Sequence, residues 1–332
     1  MPEIMQNFSN FLGALDGAAS QGLIYGIMAI GLYITFKILS VSDLTVDGSF
    51  CTGGAVCAAM MLSGYNVWIA MLAAFVAGVL AGAITGLLHT KCKIPAILAG
   101  ILTQLGLWTI NMMIMGFRER TLEVLLSLPS RKYDVLVALS FLETVPMGMK
   151  EWYFYPLLTV GLFTVALIAA LYWFFGRETG CALRATGANE NMARAQGVNT
   201  DTYKLIGLML SNGLVALSGS LFAQYQGNAE VNMGRGTIVI GLAAIIIGEV
   251  LFGKIFKNFA LKLAAVSIGS IIYFVVIQMV ISLLDIDSNY LKLFSAIIVA
   301  VFLTIPNLAP TGLKKKEKKN KKEKPEKEAQ HA

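Results

Sequence analysis

The sequence predicts an all-α integral membrane protein with about nine transmembrane helices (about eight to ten), arranged as an inverted repeat that includes broken, glycine-rich helices. Of the 332 residues, 56% are hydrophobic and 14% are charged, and the mean hydropathy is +0.69. A soluble domain carries about 25% charged residues. Long apolar segments recur along the chain, and a glycine pattern appears in both halves.

The positive charge of the chain is concentrated at its C-terminal end. Between Thr311 and Ala332, nine lysines against four glutamates leave +5 of the net charge of +6. This stretch is poor in apolar residues, so we expect residues 307–332 to form a disordered, lysine-rich cytoplasmic tail that attracts anionic membrane lipid. The basic balance therefore describes the tail, and the sequence predicts no binding of nucleic acid.

Apolar segments predict the membrane spans, because a helix needs about 20 apolar residues to cross about 30 Å of hydrocarbon. The long segments lie near residues 18–38, 66–88, 95–116, 152–175, 204–226, 259–281 and 290–306. Two shorter glycine-rich segments, 49–62 and 237–252, predict further spans or broken helices that are buried by their neighbours.

Basic residues follow every second predicted span, which sets the expected orientation. Because positive residues mark the cytoplasmic side, we expect the N-terminus outside and the C-terminus in the cytoplasm. The loop 117–151 carries both signs of charge and is placed outside. Residues 1–17 have apolar side chains at helical spacing and are expected to lie at the membrane surface. If they cross the membrane instead, about ten spans result and the N-terminus moves inside.

A glycine pattern recurs in the two halves of the chain. The paired stretches are Gly48-Ser49-x-x-x-Gly53-x-Ala55 with Gly236-Thr237-x-x-x-Gly241-x-Ala243, and Gly22-Leu23-Ile24 with Gly213-Leu214-Val215. In the expected topology the copies run in opposite directions, as in transporters whose solute site lies between inverted repeats. Glycine patterns also arise wherever membrane helices pack closely, which is the plainer interpretation.

The polar segment between the fifth and sixth spans, residues 176–202, is longer than a connection requires. A few residues suffice to join two spans, so a segment of this length is expected to bind a partner. A break at Gly187-Ala188-Asn189 separates Arg184 from Arg194, which predicts two short helices joined by a turn. Thr186 or Asn189 is expected to cap the second helix.

Two stretches resemble a family of bacterial transporters. Residues 180–190, Gly-Cys-Ala-Leu-Arg-Ala-Thr-Gly-Ala-Asn-Glu, and Ala193-Arg-Ala-Gln-Gly-Val198 are similar to the conserved loop of ABC permeases of the branched-chain amino acid and ribose-type superfamily. Asp43-Leu-Thr-Val-Asp-Gly-Ser49 resembles the family's Asp-Leu-Ser-Val-Gly-Ser stretch, with Asp47 inserted. The likeness covers most of residues 18–305, and the chain resembles in particular the permeases of tryptophan or tyrosine importers.

The resemblance implies the permease subunit of an ATP-binding-cassette importer, with a permease domain over residues 18–306. In that family the 176–202 region carries a coupling helix that docks on a separate ATPase subunit. The expected coupling residues are Arg184, Ala185, Gly187, Glu190, Arg194 and Gly197. The resemblance also implies an extracytoplasmic solute-binding lipoprotein and a permease homodimer in the bacterial cell membrane. The expected solute is an aromatic or branched-chain amino acid, with sugars and nucleosides as alternatives.

Polar residues in and beside the spans predict a translocation path. A polar side chain in hydrocarbon is costly unless it is paired or faces water, and pairing between helices is the plainer role for any single one. The candidates are Asp43, Asp47, Ser49, Gln104, Asn212, Gln224, Arg235 and Thr237. The acidic residues precede one glycine-rich half-helix and Arg235 precedes the other, so one hypothesis is that they meet the ammonium and carboxylate of an amino acid. The alternative is that they are interfacial residues in water.

The sequence contains no pattern for catalysis. It lacks the Gly-x-x-x-x-Gly-Lys-Ser/Thr phosphate loop, so we expect a transport subunit that is not an enzyme, binds no cofactor or metal, and relies on a partner to hydrolyse ATP. Two rival hypotheses are an ion-gradient-driven secondary transporter, with Glu249 or Asp47 as its ion site, and a membrane scaffold that acts through its tail. Glu249 is also expected to pair with Lys254 at the membrane interface.

Overall fold

α-Helices make up nearly all of the structure. The computed structural model describes residues 2–116, 125–127, 156–253, 255–256, 258–284, 296–297, 299–300 and 304. Within these ranges the helices are α1 (Pro2–Tyr33), α2 (Val46–Leu62), α3 (Val67–Thr90), α4 (Ala96–Met115), α5 (Pro156–Gly176), α6 (Glu178–Ala188), α7 (Glu190–Ala195), α8 (Thr200–Gln226), α9 (Thr237–Phe252) and α10 (Phe259–Leu284). A π-helical turn, Ile34–Ile38, extends α1.

Six of the described helices, α1, α3, α4, α5, α8 and α10, are long and apolar enough to cross a membrane. The apolar helices α2 and α9 are shorter, as the sequence predicts for broken helices. The expected count of about nine spans is therefore not confirmed. The ninth predicted segment, 290–306, lies largely outside the described residues, and the tail 307–332 lies wholly outside them.

The N-terminal segment 1–17 belongs to the same helix as the first span. From Pro2 onwards α1 runs without a break to Tyr33, and the span itself begins at Gly13. The start of the chain is thus joined to the membrane domain by continuous helix. A position at the membrane surface for this segment stays a prediction.

Two helix pairs, α1 with α10 and α3 with α8, form the frame of the protein. Their backbones approach closely because glycines lie at the contacts, as in many membrane helix pairs. A Cβ atom on Gly22 of α1 would lie 2.7 Å from the Cα atom of Ile271 in α10. Gly78 and Gly82 of α3 lie against the backbone carbonyls of α8. The inverted repeat suggested by the glycine pattern stays a prediction.

The short helix α2 is buried between these pairs. Gly53 of α2 lies against the carbonyl of Ala216, and Gly219 of α8 lies against the carbonyl of Phe50. The Phe50 ring also stacks on Tyr25 of α1, with ring centroids 5.4 Å apart. Small residues on one side and aromatic rings on the other thus fix α2 against both α8 and α1.

An extended segment links α8 to α9 along the flank of α2. Its strand β2 (Asn228–Glu230) pairs antiparallel with β1 (Leu125–Ser127). The Cys51 thiol donates to the Val231 carbonyl at 3.2 Å. Through these contacts the segment brings the start of α9 next to the start of α2.

We expect Gly53→Ala to destabilise the protein, because the added methyl group would run into the Ala216 carbonyl. Overpacking of this kind costs about 1–3 kcal/mol. The matched control is Gly106→Ala in α4, where an added Cβ meets no described atom within 4 Å. Thermal unfolding in detergent should give a lower midpoint for Gly53→Ala only. Equal midpoints for the two variants would contradict the packing described above.

Candidate functional site

Asp47 connects the starts of the two short helices. It lies in the first turn of α2, and its carboxylate accepts hydrogen bonds from the start of α9. Oδ1 accepts from Thr237 Oγ1 at 2.8 Å and from the Ile238 amide at 3.0 Å, while Oδ2 accepts from the Gly236 amide at 3.1 Å. The carboxylate thereby accepts hydrogen bonds from backbone amides at the N-terminus of α9. It also lies at the positive end of the helix dipole of α9.

A cavity of about 190 Å³ opens beside this contact. Its functional lining residues are Asp47, Cys51, Gln104, Trp108, Asn111 and Arg235. The Arg235 side chain forms no ion pair with any carboxylate in the described part of the chain. A negative and a positive side chain thus line one small cavity, together with an indole ring and two amides.

Asn111 gives the cavity a buried polar atom. The residue is 1% exposed, and its Nδ2 donates to the Gly48 carbonyl at 3.5 Å. Its Oδ1 has no hydrogen-bond partner within the described ranges. A buried acceptor without a partner is costly, so this atom is available to a ligand or to water.

Three of the predicted path residues form a buried network instead of lining the cavity. Asn212 Nδ2 donates to Asp43 Oδ2 at 2.7 Å, and Ser49 Oγ donates to Asn212 Oδ1 at 2.6 Å. The Thr45 amide donates to Asp43 Oδ1 at 2.9 Å. All these side chains are 0% exposed. The network ties the connection before α2 to the middle of α8, which gives these residues a structural role in this conformation.

The eight predicted path residues therefore separate into three groups. Gln224 belongs to neither the cavity nor the network. Its Nε2 donates to Cys57 Sγ at 3.4 Å, between α2 and α8. Asp47, Gln104 and Arg235 line the cavity, with Thr237 bonded to Asp47, while Asp43, Ser49 and Asn212 form the network. Sequence reasoning named Asn111 among the polar residues of the spans but did not select Cys51 or Trp108. A signal for Trp108 existed, because Gln104, Trp108 and Asn111 share one face of α4 at helical spacing.

The segment 176–202 folds into two short helices, which confirms the prediction. Helix α6 ends at Ala188 and α7 begins at Glu190, with Asn189 extended between them at φ −158° and ψ 103°. Asn189 Oδ1 accepts from the Met192 amide at 3.0 Å, so Asn189 is the capping residue. The alternative cap, Thr186, donates its hydroxyl hydrogen to the Ala182 carbonyl at 2.8 Å.

The end of α6 packs directly against the end of α1. An added Cβ on Gly187 would run into the carbonyl of Ile38, the last residue of the π-helical turn. Ser40 Oγ also donates to the Gly187 carbonyl at 3.4 Å. Glycine allows this backbone contact, so α6 lies directly against the end of α1 and the connection that leads to Asp43.

The charges of α7 bind the start of α8. Glu190 accepts from Arg194 Nη2 at 2.8 Å and from Lys204 Nζ at 2.7 Å. Arg194 also donates to Thr200 Oγ1 at 2.7 Å and to Asp201 Oδ1 at 3.0 Å. Two of the expected docking charges are therefore engaged within the chain, where they hold α7 against α8.

The remaining coupling residues shape the same segment. Arg184 Nη2 donates to the Phe175 carbonyl at 3.1 Å and to Cys181 Sγ at 3.3 Å, so this charge also has intramolecular partners. Gly197 has φ +81°, a conformation that favours glycine, and it ends the turn after α7. Ala185 is half-buried on α6. The segment is thus a helical unit with internal polar contacts, in place of an open charged loop.

Glu249 has a different partner from the one expected. Its carboxylate accepts from Lys37 Nζ at 2.9 Å, whereas Lys254 lies outside the described residues. Lys37 belongs to the π-helical turn after α1, so the ion pair joins the ends of α1 and α9. Both side chains are partly exposed, at 53% and 38%. A partly solvated pair of this kind is weak support for an ion site.

In the described part of the chain, six apolar helices, two short helices that meet at a polar cavity and a polar helical unit at one end are typical of a multi-pass membrane transport protein. Residues 14–305 match the family described as the branched-chain amino acid transport system permease component. The chain belongs to this family, and it is accordingly a permease of an ABC transporter, the membrane subunit and not the ATPase. The resemblance found in the sequence is confirmed.

Individual relatives agree with the family. The chain is 37% identical to a tyrosine transport system permease protein of Clostridioides difficile, over 90% of this chain and 92% of the relative. It is 27% identical to the autoinducer 2 import system permease protein LsrC of Salmonella typhi, over 72% and 67% of the two chains. The structure of PsaBC from Streptococcus pneumoniae in complex with Fab shares the fold, with a TM-score of 0.51, 17% identity and coverage of 93% and 99%.

We expect the contacts of Glu190 to weaken in acid. The hydrogen bond from Lys204, with the nearby charges of Lys204 and Arg194, holds the pKa of the Glu190 carboxyl below its ordinary value of 4.5. A lowered pKa in the folded state stabilises the protein above the unfolded pKa, and this contribution is lost as pH falls through the folded pKa. The effect is on the order of 1 kcal/mol or less for a partly exposed pair.

Hydrogen exchange in residues 190–204, measured from pH 6 downwards, tests this expectation. The difference between wild type and Glu190→Gln should be full at pH 6 and should disappear as pH falls through the lowered pKa of Glu190, which lies below 4.5. Glu178→Gln is the matched control, because Glu178 has no ion pair among the described residues. A difference between wild type and Glu190→Gln that stays constant with pH would contradict the assignment.

Proposed function

We propose that this chain is the permease subunit of an ABC importer that passes an amino acid, aromatic or branched-chain, into the cytoplasm. A separate ATPase subunit docks on residues 176–202 and supplies the energy by hydrolysing ATP. The observation that carries the proposal is the contact between Gly187 and the Ile38 carbonyl, which joins the docking segment to the membrane helices.

The proposed assembly follows the pattern of the family. Two copies of the permease, two ATPase subunits and an extracytoplasmic solute-binding lipoprotein form the importer in the bacterial cell membrane. The C-terminus lies in the cytoplasm, on the same side as the docking segment, in accordance with the distribution of basic residues. The chain itself binds no cofactor, since ATP belongs to the partner.

In the proposed cycle, closure of the ATPase subunits pushes on α6 and α7. The push reaches α1 through Gly187 and Ile38, at a π-helical turn, a feature that often occurs at functional positions. From there it passes along the connection that contains Asp43 to Asp47 at the start of α2. Movement of Asp47 away from the amides of α9 would change the shape of the cavity and so alternate its access.

The cavity supports an amino acid as the solute. Arg235 suits a carboxylate, while Asp47 and the free Oδ1 of Asn111 suit an ammonium group. Trp108 offers an apolar face for an aromatic side chain. The similarity to a permease of tyrosine transport favours the same class. The similarity to the autoinducer 2 import permeases keeps sugars and nucleosides as the second candidate class.

The ion-driven alternative has less support. It requires an acidic residue that is free to bind a proton or a cation inside the membrane. Glu249 is paired with Lys37, and the Asp47 carboxylate accepts three hydrogen bonds from α9. Glu249 therefore already has a counter-ion in the protein, and in the proposed importer the unpaired charge of Asp47 serves the ammonium group of the solute.

We expect uptake of labelled tyrosine into proteoliposomes to require the ATPase subunit and ATP. Gly187→Ala should lower uptake per ATP hydrolysed by about tenfold, within the range typical of coupling between sites, because the added methyl group forces α6 away from Ile38. Gly176→Ala is the matched control, since a Cβ there meets no described atom within 4 Å.

Two outcomes would refute the proposed function. One is tyrosine uptake by the permease alone when an ion gradient replaces ATP. The other is an unchanged ratio of uptake to ATP hydrolysis in Gly187→Ala. Uptake of a sugar in place of an amino acid would keep the ATP-driven mechanism and replace the solute class.

We expect Arg235→Gln to slow tyrosine uptake at subsaturating solute by about ten- to a hundredfold, since a hydrogen bond to a charged group contributes about 1.5–3 kcal/mol. Arg235→Lys keeps the positive charge and should restore part of the rate. Basal ATP hydrolysis should be the same in all three proteins. If Arg235→Gln transports tyrosine at the wild-type rate, Arg235 does not bind the carboxylate.

A further inference from the structure

A second cavity, of about 630 Å³, lies at the end of the protein that carries the polar helical unit. Its walls are the last turn of α5, the start of α6 and the start of α10. The lining residues that matter here are Tyr172, Trp173, Arg177, Arg184, Asn258 and Phe259. Its volume falls within the range of about 300–1,000 Å³ that is typical of small-molecule sites.

Two arginines give this cavity its charge. Neither Arg177 nor Arg184 forms an ion pair with a carboxylate in the described parts of the chain. The Arg177 guanidinium lies 4.3 Å from the centroid of the Trp173 ring, and that of Arg184 lies 5.9 Å from the centroid of Phe259. The Trp173 ring orients the guanidinium of Arg177, while the Phe175 carbonyl and the Phe259 ring orient that of Arg184, and the remaining N–H groups of both can donate to an anion.

The cavity lies where lipid meets water. It is at the end of an apolar helix, α5, of which only 22% is buried inside the protein. Tyr172 and Trp173 are 57% and 64% exposed on that helix. Exposed tyrosine and tryptophan at the end of a membrane helix are typical of the headgroup level of a bilayer. An occupant of this cavity would thus have its charged part beside the arginines and its apolar part along α5.

We propose that this cavity binds the phosphate group of an anionic phospholipid whose acyl chains lie along α5. A planar guanidinium group matches the geometry of phosphate oxygens, and basic pockets between membrane helices recognise anionic headgroups. Asn258 provides a further polar side chain for the glycerol of the headgroup. The site is separate from the Asp47 cavity, and its occupation does not depend on the identity of the transported solute.

Native mass spectrometry of the purified full-length protein in detergent tests the proposal. The protein is incubated with equal amounts of phosphatidylglycerol and phosphatidylethanolamine that have the same acyl chains. Wild type should retain phosphatidylglycerol about tenfold more often, and Arg177→Gln with Arg184→Gln should lose this preference. The matched control, Lys91→Gln with Lys93→Gln, removes the same charge from the exposed α3–α4 connection and should keep the preference.

Two competition experiments distinguish a lipid from a soluble phosphate compound as the occupant of the cavity. Glycerophosphoglycerol and inorganic phosphate at the same concentration should not displace the lipid, because neither has acyl chains to lie along α5. Displacement by either would overturn the lipid assignment in favour of a site for soluble phosphate.

The single variant Arg177→Lys retains the charge and should keep part of the preference, which guards against loss of fold in the double variant. Equal retention of both lipids by wild type would refute the proposal. The arginine double variant could instead keep its lipid preference and change its dimer fraction. That result would also refute the proposal, since the cavity would then be a contact between two copies of the chain.

Discussion

The hydrogen bonds between the Asp47 carboxylate and the first amides of α9 are the contact on which the organisation of this protein depends. Two short helices begin inside the membrane domain, where water does not satisfy open amide groups. Asp47 supplies an acceptor from the other half of the chain, and Gly234 allows the close approach by lying against the Asp47 backbone. One side chain thus joins the starts of α2 and α9 and forms a wall of the cavity beside them.

A series of direct contacts connects Asp47 to the polar helical unit. Asp43 is held by Asn212 of α8, and the connection before it begins at the Ile38 carbonyl, against which Gly187 of α6 lies. Coupling between distant sites travels through packed backbones and hydrogen bonds that move together. In the proposed importer, this chain of contacts lets a partner at α6 act on Asp47 without any flexible link between them.

Local sequence patterns were sufficient to predict where the helices lie, but they were insufficient to predict which polar residues contact each other. Apolar segments located eight helices, and the Gly187–Asn189 break located the turn between α6 and α7. The acceptor role of Asp47 was missed because its partners are about 190 residues away, a separation that no local pattern reports. Glu249 was assigned to Lys254, its neighbour in sequence, whereas the structure pairs it with Lys37, 212 residues away. Length and polarity are local properties, but the partner of a polar group is decided by packing.

In the proposed importer, the engagement of Arg184, Glu190 and Arg194 within the chain changes how docking on the polar unit is understood. Binding to a docking surface of unpaired charges would weaken with salt. Such a surface would also deform when a partner pushes on it, because long charged side chains exchange partners at little cost in free energy. Here the charges lock α7 to α8 and α6 to α5, so the surface left to a partner is a bent pair of helices with Met192 53% exposed on it. A partner would then recognise this surface by its shape and by apolar contacts. In the proposed importer, the locked contacts would let the unit transmit a displacement to α1.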